Sequence, residues 1–243
     1  IEMIINIFSL WEIGVCVVLV DPSTRGIEME NVLKHVRPQF ILSDELEVFL
    51  EAEQDSGIDE ASLILFTTGS TQSPKAVFHS RSSILSKLKM TKNAIDLSSW
   101  ARTYCIIPLS VVYGIIDNLL VPLYWGGSVY LGANDPTRSL SQLKDDFEQY
   151  KITAACLVPA NLKTLMSLYP EQQNFPDLMC IYSAGSQLEG DVWSAFNSWV
   201  GRPVVRNVYG SSEICSAVCG TEKGTKPFTG NVGKIWDGHL EIR

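Results

Sequence analysis

Short apolar runs alternate with amphipathic stretches along nearly the whole chain. VCVVLVDP, PQFILSD, SLILFTT, TYCIIPLS, GSVYLGA, TAACLVPA, LMCIYSAG and PVVRNVYG each end at a Pro, Gly, Ser or Asp, which is the pattern of short buried strands. Between them the hydrophobic period changes to that of a helix, predicting helices over 28–36, 80–97, 113–125, 139–150, 159–169 and 189–200. Strand and helix alternating in this way predict an α/β fold of mostly parallel sheets flanked by helices, and such folds collect ligands at the carboxyl ends of their strands. No repeat of solenoid period is visible.

Residues 4–20 (IINIFSLWEIGVCVVLV) are apolar enough to suggest a membrane span or a secretion signal, but Glu12 interrupts them and Glu2 stands where a basic region would precede a signal. A buried helix followed by a buried strand, with no membrane span, is the expectation. The chain opens on Ile1 rather than an initiator Met, as a fragment or a processed product does.

Composition narrows the function classes. With 243 residues, 46% hydrophobic and 19% charged, the chain can bury a real core as one large or two small domains. Its formal net charge of -8 argues against a partner rich in phosphate backbone, so no nucleic acid is expected. The segment 44–60 (DELEVFLEAEQDSGIDE) holds eight acidic residues and no basic one, equal to the whole net charge, and reads as a solvated acidic connector. It separates an N-terminal α/β segment over 1–43 from a core over 61–243.

Six cysteines (Cys16, Cys105, Cys156, Cys180, Cys215, Cys219) lie mostly in apolar runs without CxxC spacing. That pattern predicts reduced, buried thiols in a reducing compartment and hence a cytoplasmic protein. Cys215 and Cys219 are four apart, yet no His or acidic group joins them at ligand spacing, so no metal site is expected there.

The strongest chemical signal is SLILFTTGSTQSPKAVFHS, residues 62–80. A buried strand runs directly into Thr67, Thr68, Gly69, Ser70, Thr71, Gln72, Ser73, Pro74 and Lys75. Backbone N–H groups and hydroxyls in such a loop can hold phosphate oxygens, and the lysine adds charge. It is not a Walker loop, because Pro74 and Ala76 flank Lys75 where that pattern requires Gly and Ser or Thr.

TTGSTQSPKAV resembles the phosphate-loop signature of the acyl-adenylate-forming (AMP-binding) superfamily, which includes acyl- and aryl-CoA synthetases, adenylation domains of nonribosomal peptide synthetases and luciferases. Gln72 and Ala76 stand where that signature usually has glycine. A second stretch, VVRNVYGSSEICSAV, resembles the NxYGxTE motif of the same family, with Asn207, Tyr209, Gly210, Ser212 and Glu213 in place. Further pieces are collinear: WEIGVCVVLVDP resembles the stretch KAGxxxVPLDP, IYSAGSQL resembles the S-G-G-x-x-L turn through Ala184, Gly185 and Ser186, and GNVGKIWDGHLEIR resembles GSVGxPxPGxEVRI.

The resemblance implies a fold, part of the large N-terminal domain of an adenylate-forming enzyme, and a set of roles. Thr67, Thr68, Gly69, Ser70, Thr71 and Lys75 would take the β- and γ-phosphates of ATP. Gly185 and Tyr209 would face adenine, with Ala184, Ser186, Asn207 and Gly210 beside the nucleotide; Ser212 would meet the α-phosphate and Glu213 would hold Mg²⁺. Lys75, Ser212 and Glu213 are the catalytic candidates. The implied reaction is ATP-dependent activation of a carboxylic acid and transfer of the acyl group to a thiol, either coenzyme A or the phosphopantetheine arm of an acyl carrier protein.

In IIPLSVVYG, residues 106–114, Ser110 and Val111 occupy the place where amino-acid-activating domains carry an Asp for the substrate amine. A small aryl or aliphatic acid, not an α-amino acid, is therefore the expected substrate. Asp117 and Asn118 follow at helical spacing, equally suited to a pocket, a surface or a cap. His79, His35 and His239 have no nucleophile beside them, and no G-x-S-x-G elbow exists, so hydrolase chemistry is not expected. The family carries its ribose-binding Asp, its hinge and its adenylation Lys beyond the position matched by Arg243, so the C-terminal lid domain is expected to be absent and the catalytic set incomplete. The other function class open to this sequence is a non-catalytic nucleotide- or acyl-binding module, or a partner subunit of a complete synthetase.

Overall fold

A computed structural model describes residues 1–42, 47–49, 61–67, 75–132 and 136–237. The chain divides into two compact units, Ile1–Ser83 and Ile84–Arg243.

The first unit runs α1 (Glu2–Glu12), β1 (Val17–Leu19), α2 (Gly26–Val36), β2 (Phe40–Leu42), β3 (Glu47–Phe49), β4 (Ala61–Thr67) and β5 (Lys75–Ser80). Strands β1, β4 and β5 form a sheet in that order, β1 parallel and β5 antiparallel to β4, while β2 and β3 pair separately. As the central strand, β4 buries Leu63, Ile64 and Leu65 in succession, which is why it reads as an unbroken apolar run. Helix α2 packs Val32 and Val36 on Ile64, with Val18, Phe66 and Ala76 around them. It stops where Arg37 turns left-handed at φ 40° ahead of Pro38.

Helix α1 departs from the expectation of a buried helix. Only Ile7 of it is buried, while Ile1, Met3, Ile5 and Phe8 are exposed. The segment is apolar all round, and a helix can press only one stripe of its surface on a sheet. Its Trp11 indole N–H donates to the Ser62 carbonyl of β4 at 2.7 Å.

His79 on β5 is 3% exposed, and its Nε2 has no hydrogen-bond partner among the described residues. Burial lowers its pKa below the ordinary 6.5. The folded chain therefore refuses a proton that the unfolded chain accepts, and stability should fall as the pH drops below the unfolded value. Thermal midpoints recorded from pH ~7.5 to ~5 should decline more steeply for the native chain than for His79→Leu. Equal slopes would show that His79 does not carry the effect.

In the second unit, which begins within helix α3 (Arg81–Ala94), seven strands form one sheet in the order β12–β11–β10–β9–β8–β6–β7. These are β6 (Arg102–Cys105), β7 (Ser128–Leu131), β8 (Ala154–Leu157), β9 (Cys180–Ser183), β10 (Val205–Ser211), β11 (Ser216–Gly220) and β12 (Lys234–Ile235). All pairings from β7 to β10 are parallel, and β11 and β12 add antiparallel strands at one edge. One face carries α5 (Pro136–Gln149), α6 (Pro159–Leu168) and α7 (Gly190–Val200), which close a core containing Phe147, Leu157, Ile181, Trp193 and Phe196.

Cys156, Cys180 and Tyr182 alternate with those core residues along their strands and so point to the opposite face. There a π-helix, Tyr113–Leu120, buries all eight of its residues and continues into α4 (Val121–Tyr124). Pro122 explains the widening. It lacks the N–H that would bond the Asn118 carbonyl, and its ring crowds that carbonyl in a regular helix. Gly114 at the start lies so close to the Pro108 carbonyl that a Cβ there would overlap it. Asp117 and Asn118 are buried within this helix, so neither is a surface or capping residue.

All six cysteines are free, five of them buried and Cys16 half-buried. Among the described residues no helix is long and apolar enough to cross a membrane.

Candidate functional site

In the first unit a strand pair stands on either side of the hydroxyl-rich segment in the sequence. Thr67 closes β4 and Lys75 opens β5, and the two face each other in the antiparallel register. Thr68, Gly69, Ser70 and Thr71, with Gln72, lie outside the described residues. Lys75 is exposed. Ala76, a departure from the glycine of the signature, sits opposite Phe66 and packs its methyl against the cluster formed by Val32, Val36 and Ile64.

In the second unit eight candidate residues meet at the carboxyl ends of two neighbouring parallel strands, β9 and β10. Register places Ser183 beside Asn207, so the turn leaving β9 and the last residues of β10 emerge at the same edge. Strand β9 is fixed there by Tyr182, which stacks on Trp100 at 4.8 Å between ring centroids and whose carbonyl accepts a 2.8 Å hydrogen bond from the Tyr113 hydroxyl. The turn follows as Ala184, Gly185 and Ser186. Gly185 has φ 86°, where a side chain would be strained, and a Cβ would also press on Val158 Cγ1 at 3.2 Å.

On β10 the Asn207 side chain is committed, its Nδ2 donating to the Asn231 carbonyl at 2.8 Å. Its backbone N–H donates to Thr221 Oγ1 at 2.9 Å. Tyr209 lies two residues further on the same face and is 51% exposed, leaving its ring open to a planar ligand. Gly210 follows a break in register with β11, pairs with Ala217, and lies so close to the Ser216 carbonyl that no Cβ could fit. The chain then forms a 3₁₀ turn, Ser212–Ile214, and returns through Cys215 at φ 57° and Ser216 at φ 82°. Two consecutive non-glycine residues in the left-handed region mark a turn that its surroundings must hold. Ser212 and Glu213 sit on that turn, which brings a hydroxyl and a carboxylate to the strand ends.

Three features escape the sequence reading. Ser183 is fully buried, and its hydroxyl has no partner among the described residues; a lone hydroxyl closing an apolar run was the available signal. Strand β11, which carries the far side of the Glu213 turn, is a five-residue SAVCG run with no period of its own. The buried ion pair of Lys87 with Asp117, 3.9 Å apart, carries no local signal at all.

Comparison with known proteins bears on the family and the fold. A profile described as "AMP-binding enzyme" matches residues 1–243. Acyl-CoA synthetase FUM10 of Gibberella moniliformis is 30% identical over 157 residues, 64% of this chain and 27% of that protein. Nonribosomal peptide synthetase apmB of Penicillium brevicompactum is 27% identical over 68% of this chain and 7% of that protein. The chain thus spans less than a third of the length of either relative. Among solved structures, O-succinylbenzoate coenzyme A synthetase (MenE) of Bacillus subtilis in complex with AMP superposes with a TM-score of 0.78 at 18% identity, covering 96% of this chain and 65% of that one. The anthranilate CoA ligase AuaEII in complex with anthranoyl-AMP gives 0.78 at 19% identity over 96% of this chain and 52% of that one. These likenesses establish the α/β fold of the N-terminal domain of adenylate-forming enzymes. With its profile match running from the first residue to the last, the chain belongs to the AMP-binding enzyme family.

Proposed function

We propose that this protein activates a small carboxylic acid with ATP, forming an acyl-adenylate and pyrophosphate, and that the acyl group then passes to a thiol, coenzyme A or a phosphopantetheine carrier. The observation that carries this reading is the edge where Gly185, Asn207, Tyr209, Ser212 and Glu213 come together at the ends of β9 and β10. In the first unit we assign Thr67 to Thr71 and Lys75 to the β- and γ-phosphates. In the second, the Tyr209 ring and the Gly185 backbone take adenine, Ser212 donates to the α-phosphate, and Glu213 faces its metal.

The residues present fit a nucleotide carrying its own Mg²⁺. Among the described residues no group of three or more His, Cys, Asp or Glu is placed to hold a metal, and Glu213 offers one carboxylate. That donor set suits an ion that keeps most of its coordination in water and phosphate oxygens. When bound, Mg²⁺ would offset charge developing on the phosphates. The chain's own share is to orient the nucleotide: the left-handed Gly185 turn, bare of a side chain, brings backbone close, Tyr209 stacks, and the Ser212 hydroxyl donates.

A non-amino acid fits the helix that follows IIPLSVVYG. Asp117, the carboxylate of that helix, is buried with its charge already balanced by Lys87, so it is not an unpaired carboxylate awaiting a substrate ammonium. A cytoplasmic setting belongs to the same proposal, on the six thiols without a disulfide.

ATP–pyrophosphate exchange with a panel of aryl and alkyl acids, run with and without a separately supplied C-terminal domain, tests the reaction. Exchange with at least one acid is expected, and none under either condition from folded protein would overturn it. Calorimetry tests the assignments: Lys75→Ala and Glu213→Ala should each weaken MgATP binding roughly tenfold or more, as loss of a charge-assisted contact does. Unchanged affinity in both would remove these residues from the site.

A further inference from the structure

The buried Lys87 and Asp117 bond the first two residues of β11, the strand that leaves the Glu213 turn. The Lys87 ammonium, on α3, donates to the Ala217 carbonyl and lies over the Trp236 ring, 4.8 Å from its centroid. Asp117, on the π-helix, accepts from the Ser216 hydroxyl. The ion pair thus holds two consecutive residues of β11, Ser216 through its hydroxyl and Ala217 through its carbonyl.

Register makes the consequence specific. Ser216 is the cross-strand partner of Ser211, and Ala217 that of Gly210. Those two partners are the residues immediately ahead of Ser212 and Glu213. The pair therefore grips the base of the hairpin at the strained step, Ser216 with φ 82° following Cys215 with φ 57°. Burial lowers the Lys87 pKa and raises that of Asp117, each opposed by the other's charge. A buried ion pair is a poor source of stability, because removing two charges from water offsets most of their attraction. What it does supply is direction, since each charge must keep its few hydrogen-bond partners in place.

We propose that Lys87 and Asp117 are positioning residues that hold the left-handed turn after Glu213, and so fix where its carboxylate stands at the nucleotide's metal. The inference rests on the assignment of Glu213 made above. It acts through backbone, with neither residue touching substrate.

Two readouts separate the idea from a merely structural role. The first needs no ligand. Cys215 is 6% exposed at the held turn, whereas Cys105 and Cys180, within strands β6 and β9, are 5% and 4% exposed. In Lys87→Met/Asp117→Leu, alkylation of Cys215 by N-ethylmaleimide, read by peptide mass, should speed up at least tenfold while Cys105 and Cys180 stay slow. Ser216→Ala, which removes one hydroxyl and keeps the ion pair, should give a smaller increase of about threefold and remains informative if the double variant fails to fold. The second readout is the ratio of ATP affinities with Mg²⁺ and with a chelator: this ratio should shrink at least fivefold in the double variant, with metal-free affinity held within twofold. Unchanged Cys215 labelling in both variants would overturn the clamp. Faster labelling with an unchanged Mg²⁺ ratio would overturn its role in positioning Glu213. An unsubstituted chain whose ATP affinity ignores Mg²⁺ would instead overturn the functional reading, and the labelling rates would still decide whether the clamp exists.

Discussion

Replacing Gly210 with alanine should abolish nucleotide binding and part the β10–β11 hairpin. A methyl at this position would overlap the Ser216 carbonyl and the Ala217 Cα, which are backbone atoms with no rotamer to yield. Relief can come only from moving one strand off the other. The moving strand would take with it Ser212 and Glu213 on one side or the Asp117 contact of Ser216 on the other. Overpacking of this kind costs about 1–3 kcal/mol in stability, and a displacement of the order of an ångström at positioned groups costs about a hundredfold in function. Gly224→Ala is the control. Gly224 also turns left-handed, at φ 79°, but a Cβ there meets nothing within 4 Å, so only the local strain of about 1 kcal/mol should appear. Urea unfolding and MgATP calorimetry on the two variants should therefore diverge mainly in binding; equal binding would show that the hairpin tolerates the methyl.

How much of this was legible depends on which strands are considered. The eight apolar runs fall on β1, β2, β4, β6, β7, β8, β9 and β10, and a turn residue closes each; the runs are least broken in β8 and β9, which are buried at every position. Strands β3, β5, β11 and β12 were not foreseen. SAVCG and the two-residue β12 hold no pattern of their own, and β5 begins inside a motif that reads as loop. Each of the four exists because a partner strand offers it an antiparallel ladder, which is information from elsewhere in the chain. The site followed the same division. Asn207 to Glu213 are contiguous, so their motif keeps its meaning in one dimension, and the parallel register then brings the Gly185 turn beside them. The contact of Lys87 with Ala217 spans 130 positions. In LSKLKM a lysine at that place looks like any solvated residue on an amphipathic helix, and only the fold reveals that it is buried.

Trp193→Ala should be the most destabilising single truncation of the second unit's core. Trp193 is fully buried in α7 among Phe196, Leu188 and Val205, and its indole N–H donates to the Val205 carbonyl at 3.1 Å. Removing so large a side chain from a packed core costs about 3–5 kcal/mol. Trp193→Phe keeps most of the ring volume and loses the hydrogen bond, which should cost about 1–3 kcal/mol. Equilibrium urea unfolding measures both, and a loss under about 1 kcal/mol for the alanine variant would mean that the helix can collapse onto the sheet without it. The position also separates stability from site geometry. Val205 opens β10, and the candidate residues begin two positions later at Asn207. A variant weakened at this end keeps the hairpin at the other end intact, so saturating MgATP should restore part of its lost stability by binding only the folded chain. Gly210→Ala, damaged at the hairpin itself, should gain nothing from the same ligand, and that contrast in ligand-induced stabilisation distinguishes harm to the core from harm to the site.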